Sequence, residues 1–191
     1  SVIGQDEQEL LELSNRWNTT IETLESISGE LIIVAVPDEY VQEIINQIDS
    51  NKIVIYTAGS VHLDAISHPN CGVFYPLQTI SGNKKGSSLK FPLLIESKNE
   101  KLTQLLFQLG NKISNSVEYY DSEKRKKIHL SAVFINNFTN HMVYLGYKIA
   151  NQNAIDSNIY TDLLEETFDK LKNLDPIEAQ TGPARRNDLA T

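Results

Sequence analysis

The stretch Leu31-Ile-Ile-Val-Ala-Val-Pro-Asp38 is apolar for six residues and then stops. A run of that length without polar alternation is what a strand buried on both faces needs, and such strands belong to parallel sheets flanked by crossover helices. Pro37 and Asp38 end it, since proline has no N–H for the ladder and aspartate favours turns. The same rhythm recurs outward from there. Residues 8–17 form a short amphipathic helix, and residues 39–48 a second one with Val41, Ile44, Ile45 and Ile48 on one face. Ile53-Val-Ile-Tyr56 is the next strand, stopped by Thr57-Ala-Gly-Ser60. Residues 72–75, 92–96 and 117–120 are further strands, with a helix over 101–113. This alternation predicts an α/β fold with a mostly parallel sheet.

Beyond Asp121 the pattern becomes wholly helical. A helix is predicted over 122–151, capped by Ser122 and without Pro or Gly until Gly146; at 1.5 Å per residue it would be about 45 Å long. A second covers 159–174, capped by Asp156 or Ser157. The expected organisation is therefore an α/β domain over residues 1–120 and an all-helical domain over 121–191. No internal repeat occurs. Ser81-Gly-Asn-Lys-Lys-Gly-Ser-Ser88 reads as a solvated loop, the other reading being a phosphate clamp by Lys84 and Lys85.

Composition narrows the function. The chain has 191 residues, 40% of them hydrophobic, enough for a real core. A net charge of -8 argues against a general nucleic-acid binder, which needs a basic face. No apolar run reaches the ~20 residues of a membrane span, and no signal segment opens the chain, so a cytoplasmic protein is expected. The one cysteine, Cys71, excludes disulfides within the chain and cysteine metal clusters, and reads as a small buried side chain. His62 and His68 lie in a polar connection with no ligand-spaced companion, so no metal site is expected.

His129-Leu-Ser-Ala-Val-Phe-Ile-Asn-Asn-Phe-Thr-Asn-His141 sets amides and imidazoles into a greasy helix. With His129 at zero and about 100° per residue, Asn136 falls near 340° and Asn140 near 20°, while Phe134, Ile135, Phe138, Met142, Leu145 and Ile149 gather on the other side. Either the stripe faces a ligand or its amides are satisfied within a core or subunit interface. The sheet offers a place for a ligand, because open parallel sheets bind outside the carboxyl ends of their strands. The turns there are Ala35-Val-Pro-Asp38, Thr57-Ala-Gly-Ser60 and Tyr75-Pro-Leu-Gln-Thr79. Gly59 allows close approach of a ligand or a strained turn, and Thr57 and Ser60 bring hydroxyls.

Tyr56-Thr-Ala-Gly-Ser60, Gly72-Val-Phe-Tyr-Pro-Leu-Gln-Thr79, the stretch from Asp121 to His141 and Glu178-Ala-Gln-Thr-Gly-Pro-Ala-Arg-Arg-Asn-Asp188 resemble the signature segments of a bacterial family described as NADP oxidoreductases. Its members join a Rossmann-like domain to a helical domain of uncharacterised function, and are distantly similar to pyrroline-5-carboxylate reductase and the 6-phosphogluconate and 3-hydroxyacid dehydrogenases. The resemblance covers the chain from about Leu31 onward. It implies NADP bound at Ala35, Val36, Pro37, Asp38, Thr57, Gly59 and Ser60, a helical domain that dimerises, and substrate contacts at Gln78, Thr181 and Arg186. The Gly-Pro turn with two arginines beside it reads otherwise as a solvated domain-closing loop.

Two departures qualify that inheritance. The family opens with a strand and a glycine-rich phosphate turn; here Val2-Ile-Gly4 is followed by Gln-Asp-Glu, so the N-terminal strand and turn are expected to be missing and this sequence to bind a dinucleotide poorly. The chain also breaks off at 187–191, where another helix is expected to start. Second, the related hydroxyacid dehydrogenases carry a lysine and an asparagine four residues apart on this helix, where Asn136 and Asn140 stand. An amide orients a substrate but shuttles no proton near neutral pH. The expected roles are His129 as general acid or base and Asn136 and Asn140 as substrate anchors, in hydride transfer to or from a small oxo, hydroxy or imino acid. The alternative is a non-catalytic nucleotide-binding or sensor protein on the same fold.

Overall fold

The computed structural model describes residues 1–79, 91–182 and 185. They fall into two compact units, Ser1–Ile135 and Asn136–Thr191.

The first unit is built on a five-stranded sheet: β1 (Leu31–Val34), β2 (Ile53–Tyr56), β3 (Cys71–Pro76), β4 (Pro92–Ser97) and β5 (Ser116–Tyr119), ordered as in the sequence. β1, β2 and β3 are mutually parallel, as are β4 and β5, with Leu31 opposite Ile53 and Pro92 opposite Ser116. The sheet is thus mostly parallel and Rossmann-like. One pair departs from the expected rhythm, because β4 runs antiparallel to β3. A parallel pair needs a crossover and an antiparallel pair does not, and Leu77 N–H closes the junction of β3 and β4 on Pro92 O at 2.9 Å.

Side-chain alternation loads both faces of this sheet. Val34, Val54, Tyr56, Cys71 and Val73 pack with α2 (Val41–Ile45) and with Ala58, Leu63 and Ile66. Ile55, Phe74, Leu93 and Ile95 pack on the opposite face with Leu102 and Leu106 of α3 (Glu100–Gly110). α3 can lie close only because Gly110 lacks a side chain: a Cβ there would stand 2.8 Å from Leu93 Cδ2. The helix predicted over 39–48 is narrower than its apolar spacing implied. A 3₁₀ turn (Asp38–Tyr40) opens it, and Gln47 and Ile48 close it with i→i−3 bonds to Ile44 and Ile45. Burial of Cys71 pushes its thiol up to about 12, as expected of an inert core cysteine.

One feature of the first face is not apolar. Register places Tyr56, Val73 and Glu96 in a row across β2, β3 and β4. Over that carboxylate lies the start of α4 (Ser122–Ala132). Ser122 N–H and Oγ–H donate to Glu96 at 2.9 and 2.7 Å, and the fully buried Arg125 guanidinium pairs with the same carboxylate. The rest of the guanidinium donates to Gly59 O at 3.2 Å, to Val61 O, and to Ser122 Oγ at 3.3 Å, while Leu63 N–H donates to Ser122 Oγ at 2.9 Å. Among the described residues no buried side-chain nitrogen or oxygen is left without a partner.

The second unit is helical: α5 (Thr139–Gln152), a 3₁₀ turn (Ser157–Tyr160) capped by Asp156, α6 (Thr161–Asn173) and α7 (Pro176–Ala179). Tyr147 and Tyr160 stack with centroids 6.4 Å apart. Among the described residues no helix is long and apolar enough to cross a membrane.

Removing one partner of a buried ion pair leaves the other charge uncompensated. Arg125→Met is expected to lower unfolding free energy by about 3–5 kcal/mol, whereas Lys170→Met, which breaks the exposed pair with Glu166, should cost under about 1 kcal/mol. Urea denaturation of the two variants checks this.

Candidate functional site

The site begins with where α4 starts. Its N-cap is Asp121, whose side chain accepts from Lys124 N–H at 2.8 Å, and not Ser122 as the sequence predicted. The shift frees Ser122 for Glu96, and Arg125 falls on the same side of the first turn. From there the helix and β3 keep step. Four helical residues advance about 6 Å and two strand residues about 6.6 Å, so as Arg125 overlies the row of Val73 and Glu96, His129 arrives at Tyr75. Tyr75 Oη and His129 Nδ1 are 3.1 Å apart, and the rings meet at 5.8 Å, tilted by 57°.

Gly59 sits beneath this pair. A Cβ there would lie 2.6 Å from Tyr75 Cζ and 2.7 Å from His129 Nδ1, so the room its missing side chain leaves is taken by those two rings. Its carbonyl is held by Arg125. Next to it the Ser60 hydroxyl donates to the Asp38 carboxylate, which ties the turn after β2 to the turn after β1. Thr57 N–H donates to Val34 O at 3.2 Å, and Ala35, Pro37 and Asp38 are exposed, with Val36, Thr57 and Ser60 half-buried. Burial, with the Asp38 charge adding to it, holds the Tyr75 phenol above its ordinary range, so that hydroxyl stays protonated at neutral pH.

The structure therefore brings together Asp38, Gly59, Ser60 and His129 at the carboxyl ends of β1, β2 and β3, and adds Tyr75. Gln78 is exposed, its side-chain oxygen accepting from Thr79 N–H at 2.9 Å. Asn136 and Asn140 belong to the second unit and are exposed, Asn136 donating to Asn137 Oδ1 at 3.0 Å. The chain stays helical from α4 into α5, but through a π-helical segment, Val133–Phe138. Each i→i+5 turn takes in one residue more than an α turn, so the uniform 100° count from His129 to Asn136 and Asn140 does not hold there. Thr181 is exposed, beside Gly182 at φ +84°. Arg185 donates to Glu178 O and Gln180 O at 3.2 and 3.0 Å, serving the end of α7. Arg186, like Lys84 and Lys85, lies outside the described residues.

His68 is buried, paired with Asp49 O at 3.1 Å and accepting from Asn70 N–H. His62 stands 3.7 Å from both Asp64 and Glu123 carboxylates. Among the described residues no group of three or more His, Cys, Asp or Glu side chains is placed to hold a metal ion.

Residues 91–191 match the model of a domain of unknown function, DUF2520. A crystal structure titled "putative NADP oxidoreductase", BF3122 from Bacteroides fragilis, is 32% identical with a TM-score of 0.87, over 98% of this chain and 76% of that one. The chain belongs to the DUF2520 family. Protein TM1727 from Thermotoga maritima is 20% identical with a TM-score of 0.76, over 97% of this chain and 76% of its own. Prephenate dehydrogenase from Aquifex aeolicus shares the fold at 12% identity and a TM-score of 0.59, over 91% and 69%. No curated protein matches. The DUF2520 match takes in Glu96, Arg125 and His129, whereas Asp38, Gly59, Ser60 and Tyr75 precede it. The rim thus joins residues of the DUF2520 segment to residues ahead of it. The sequence marks Tyr75 as the end of a strand and the start of a turn but not as a site residue; its two-residue spacing from Val73, set against the four-residue step from Arg125 to His129, was the available signal.

Gly59→Ala in this DUF2520 protein is expected to force the two rings apart at a cost of about 1–3 kcal/mol. Thermal unfolding measures the cost, and altered histidine ring signals in the NMR spectrum would report the displaced His129.

Proposed function

We propose that the chain is part of an oxidoreductase that transfers a hydride between a nicotinamide dinucleotide, NADP, and a small oxo, hydroxy or imino acid. The observation that carries this reading is His129 set beside Asp38, Gly59 and Ser60 at the carboxyl ends of three parallel strands, where ligands of open α/β sheets bind. A relative of 32% identity described as an NADP oxidoreductase supports the choice of cofactor.

The residues present fit one end of such a cofactor. The exposed turn at Ala35, Val36, Pro37 and Asp38, with Thr57 and Ser60, offers backbone and hydroxyl groups for the nicotinamide and its ribose. α1 (Glu7–Trp17) offers no seat for a pyrophosphate, because Asp6 already accepts from Gln8 and Glu9 N–H at 2.9 Å. When bound, the nicotinamide supplies or takes the hydride at the substrate carbon. His129 would supply the accompanying proton to the substrate oxygen or nitrogen in reduction, and receive it in oxidation. Substrate contacts are assigned to Asn136, Asn140, Gln78, Thr181 and Arg186.

Titrating the full-length protein with NADPH should enhance nicotinamide fluorescence, and a screen of 2-oxo and imino acids should reveal turnover. His129→Gln is then expected to lower kcat about 100-fold or more with little change in melting temperature, and Asn140→Ala to raise KM with kcat nearly unchanged. Binding without turnover across the screen would favour the second reading, a nucleotide sensor, which the amides in place of a lysine support.

We further propose that the helical unit dimerises. Met142, Ile149, Ile159, Leu163 and Ile177 are between 58% and 83% exposed, a concentration of apolar surface that a second copy would cover. Sedimentation velocity at micromolar concentration should show a dimer; a monomer would refute it.

A further inference from the structure

We propose that Tyr75 is a positioning residue that sets which nitrogen of His129 carries the hydrogen: its hydroxyl donates to Nδ1 and thereby places the imidazole hydrogen on Nε2. Its catalytic meaning rests on the function proposed above, but the tautomer does not.

Three observations converge on it. The Tyr75 oxygen and His129 Nδ1 lie at hydrogen-bond distance, 3.1 Å. Both rings are fixed where they meet, since they fill the space over Gly59, and Gly59 is itself tied down by Arg125. The phenol also has reason to keep its proton, being half-buried with the Asp38 carboxylate as its charged neighbour. A protonated phenol beside a neutral imidazole donates, and a ring nitrogen that accepts carries no hydrogen, which leaves it on the other nitrogen.

The consequence is a directed donor. In the neutral ring Nε2–H, at the far side from Tyr75, presents a hydrogen to a ligand, which suits a carbonyl oxygen and repels the N–H of an iminium group; the proton passed in turnover is that of the doubly protonated ring, whose Nδ1–H the Tyr75 oxygen accepts. Tyr75 thus makes the rim selective for the oxo form of a substrate without touching it, much as an outer partner fixes the tautomer of a ligating histidine.

The test is nitrogen-15 NMR of the imidazoles at pH 8.5, with the His129 signals identified by their loss in His129→Gln. Wild-type protein should show His129 with a protonated Nε2 and a hydrogen-bonded, unprotonated Nδ1. In Tyr75→Phe, shown folded by its melting temperature, the Nδ1 resonance should move downfield to that of a free acceptor. A wild-type spectrum with the hydrogen on Nδ1, or an Nδ1 signal indifferent to Tyr75→Phe, overturns the proposal. In the oxo-acid assay, Tyr75→Phe should lower kcat about 10- to 100-fold with KM within about twofold; unchanged kcat would also overturn the positioning role. Absence of any turnover in wild type, with the tautomer as expected, would instead sink the function and leave the hydrogen bond standing.

Discussion

The Glu96 carboxylate is the point on which the first unit turns. A charge in a sheet face is costly unless it is paired and hydrogen-bonded, and here Ser122 and Arg125 supply it with three donors. Arg125 in turn has spare N–H groups, and they are taken by carbonyls of the segment after β2. One buried pair therefore joins β4, the start of α4 and the turn that carries Gly59 and Ser60. Hydrophobic packing could hold α4 against this face in many registers; directed hydrogen bonds of fixed geometry hold it in one.

That register is what assembles the rim. Asp38 and Ser60 are brought together by the parallel strands, which the apolar runs at Leu31 and Ile53 announced plainly. His129 is brought by the helix, and it reaches Tyr75 because Arg125 is anchored one turn earlier. The strands, the helices and the histidine were legible in the sequence because burial and periodicity leave marks in composition. Arg125 was not, since an arginine in the first turn of a helix looks like any solvated charge until its partner in a distant strand is known. The direction of β4 was also hidden: apolar runs give the position of a strand and say nothing of its sense. The π-helical segment has no compositional mark either, and it is what undoes a uniform wheel drawn through Val133–Phe138.

Gly59 shows how a correct reading of a residue type can miss its use. A glycine at the carboxyl end of a strand signals a need for space. In this chain the space is filled from within, by Tyr75 and His129, so the glycine shapes the histidine.

The step shared by α4 and β3 also constrains how this chain can change over time. Lys126 and Lys127 are exposed, and Ile128 is half-buried, so their identities are loosely held, yet their number is not. Deleting one of them would swing everything beyond Arg125 by about 100° around the helix axis and carry the imidazole off the tyrosine, with no compensating slip available while Arg125 remains locked to Glu96. Between those two anchors the chain tolerates substitution and forbids insertion or loss, so relatives that keep both are expected to differ there in letters and never in length.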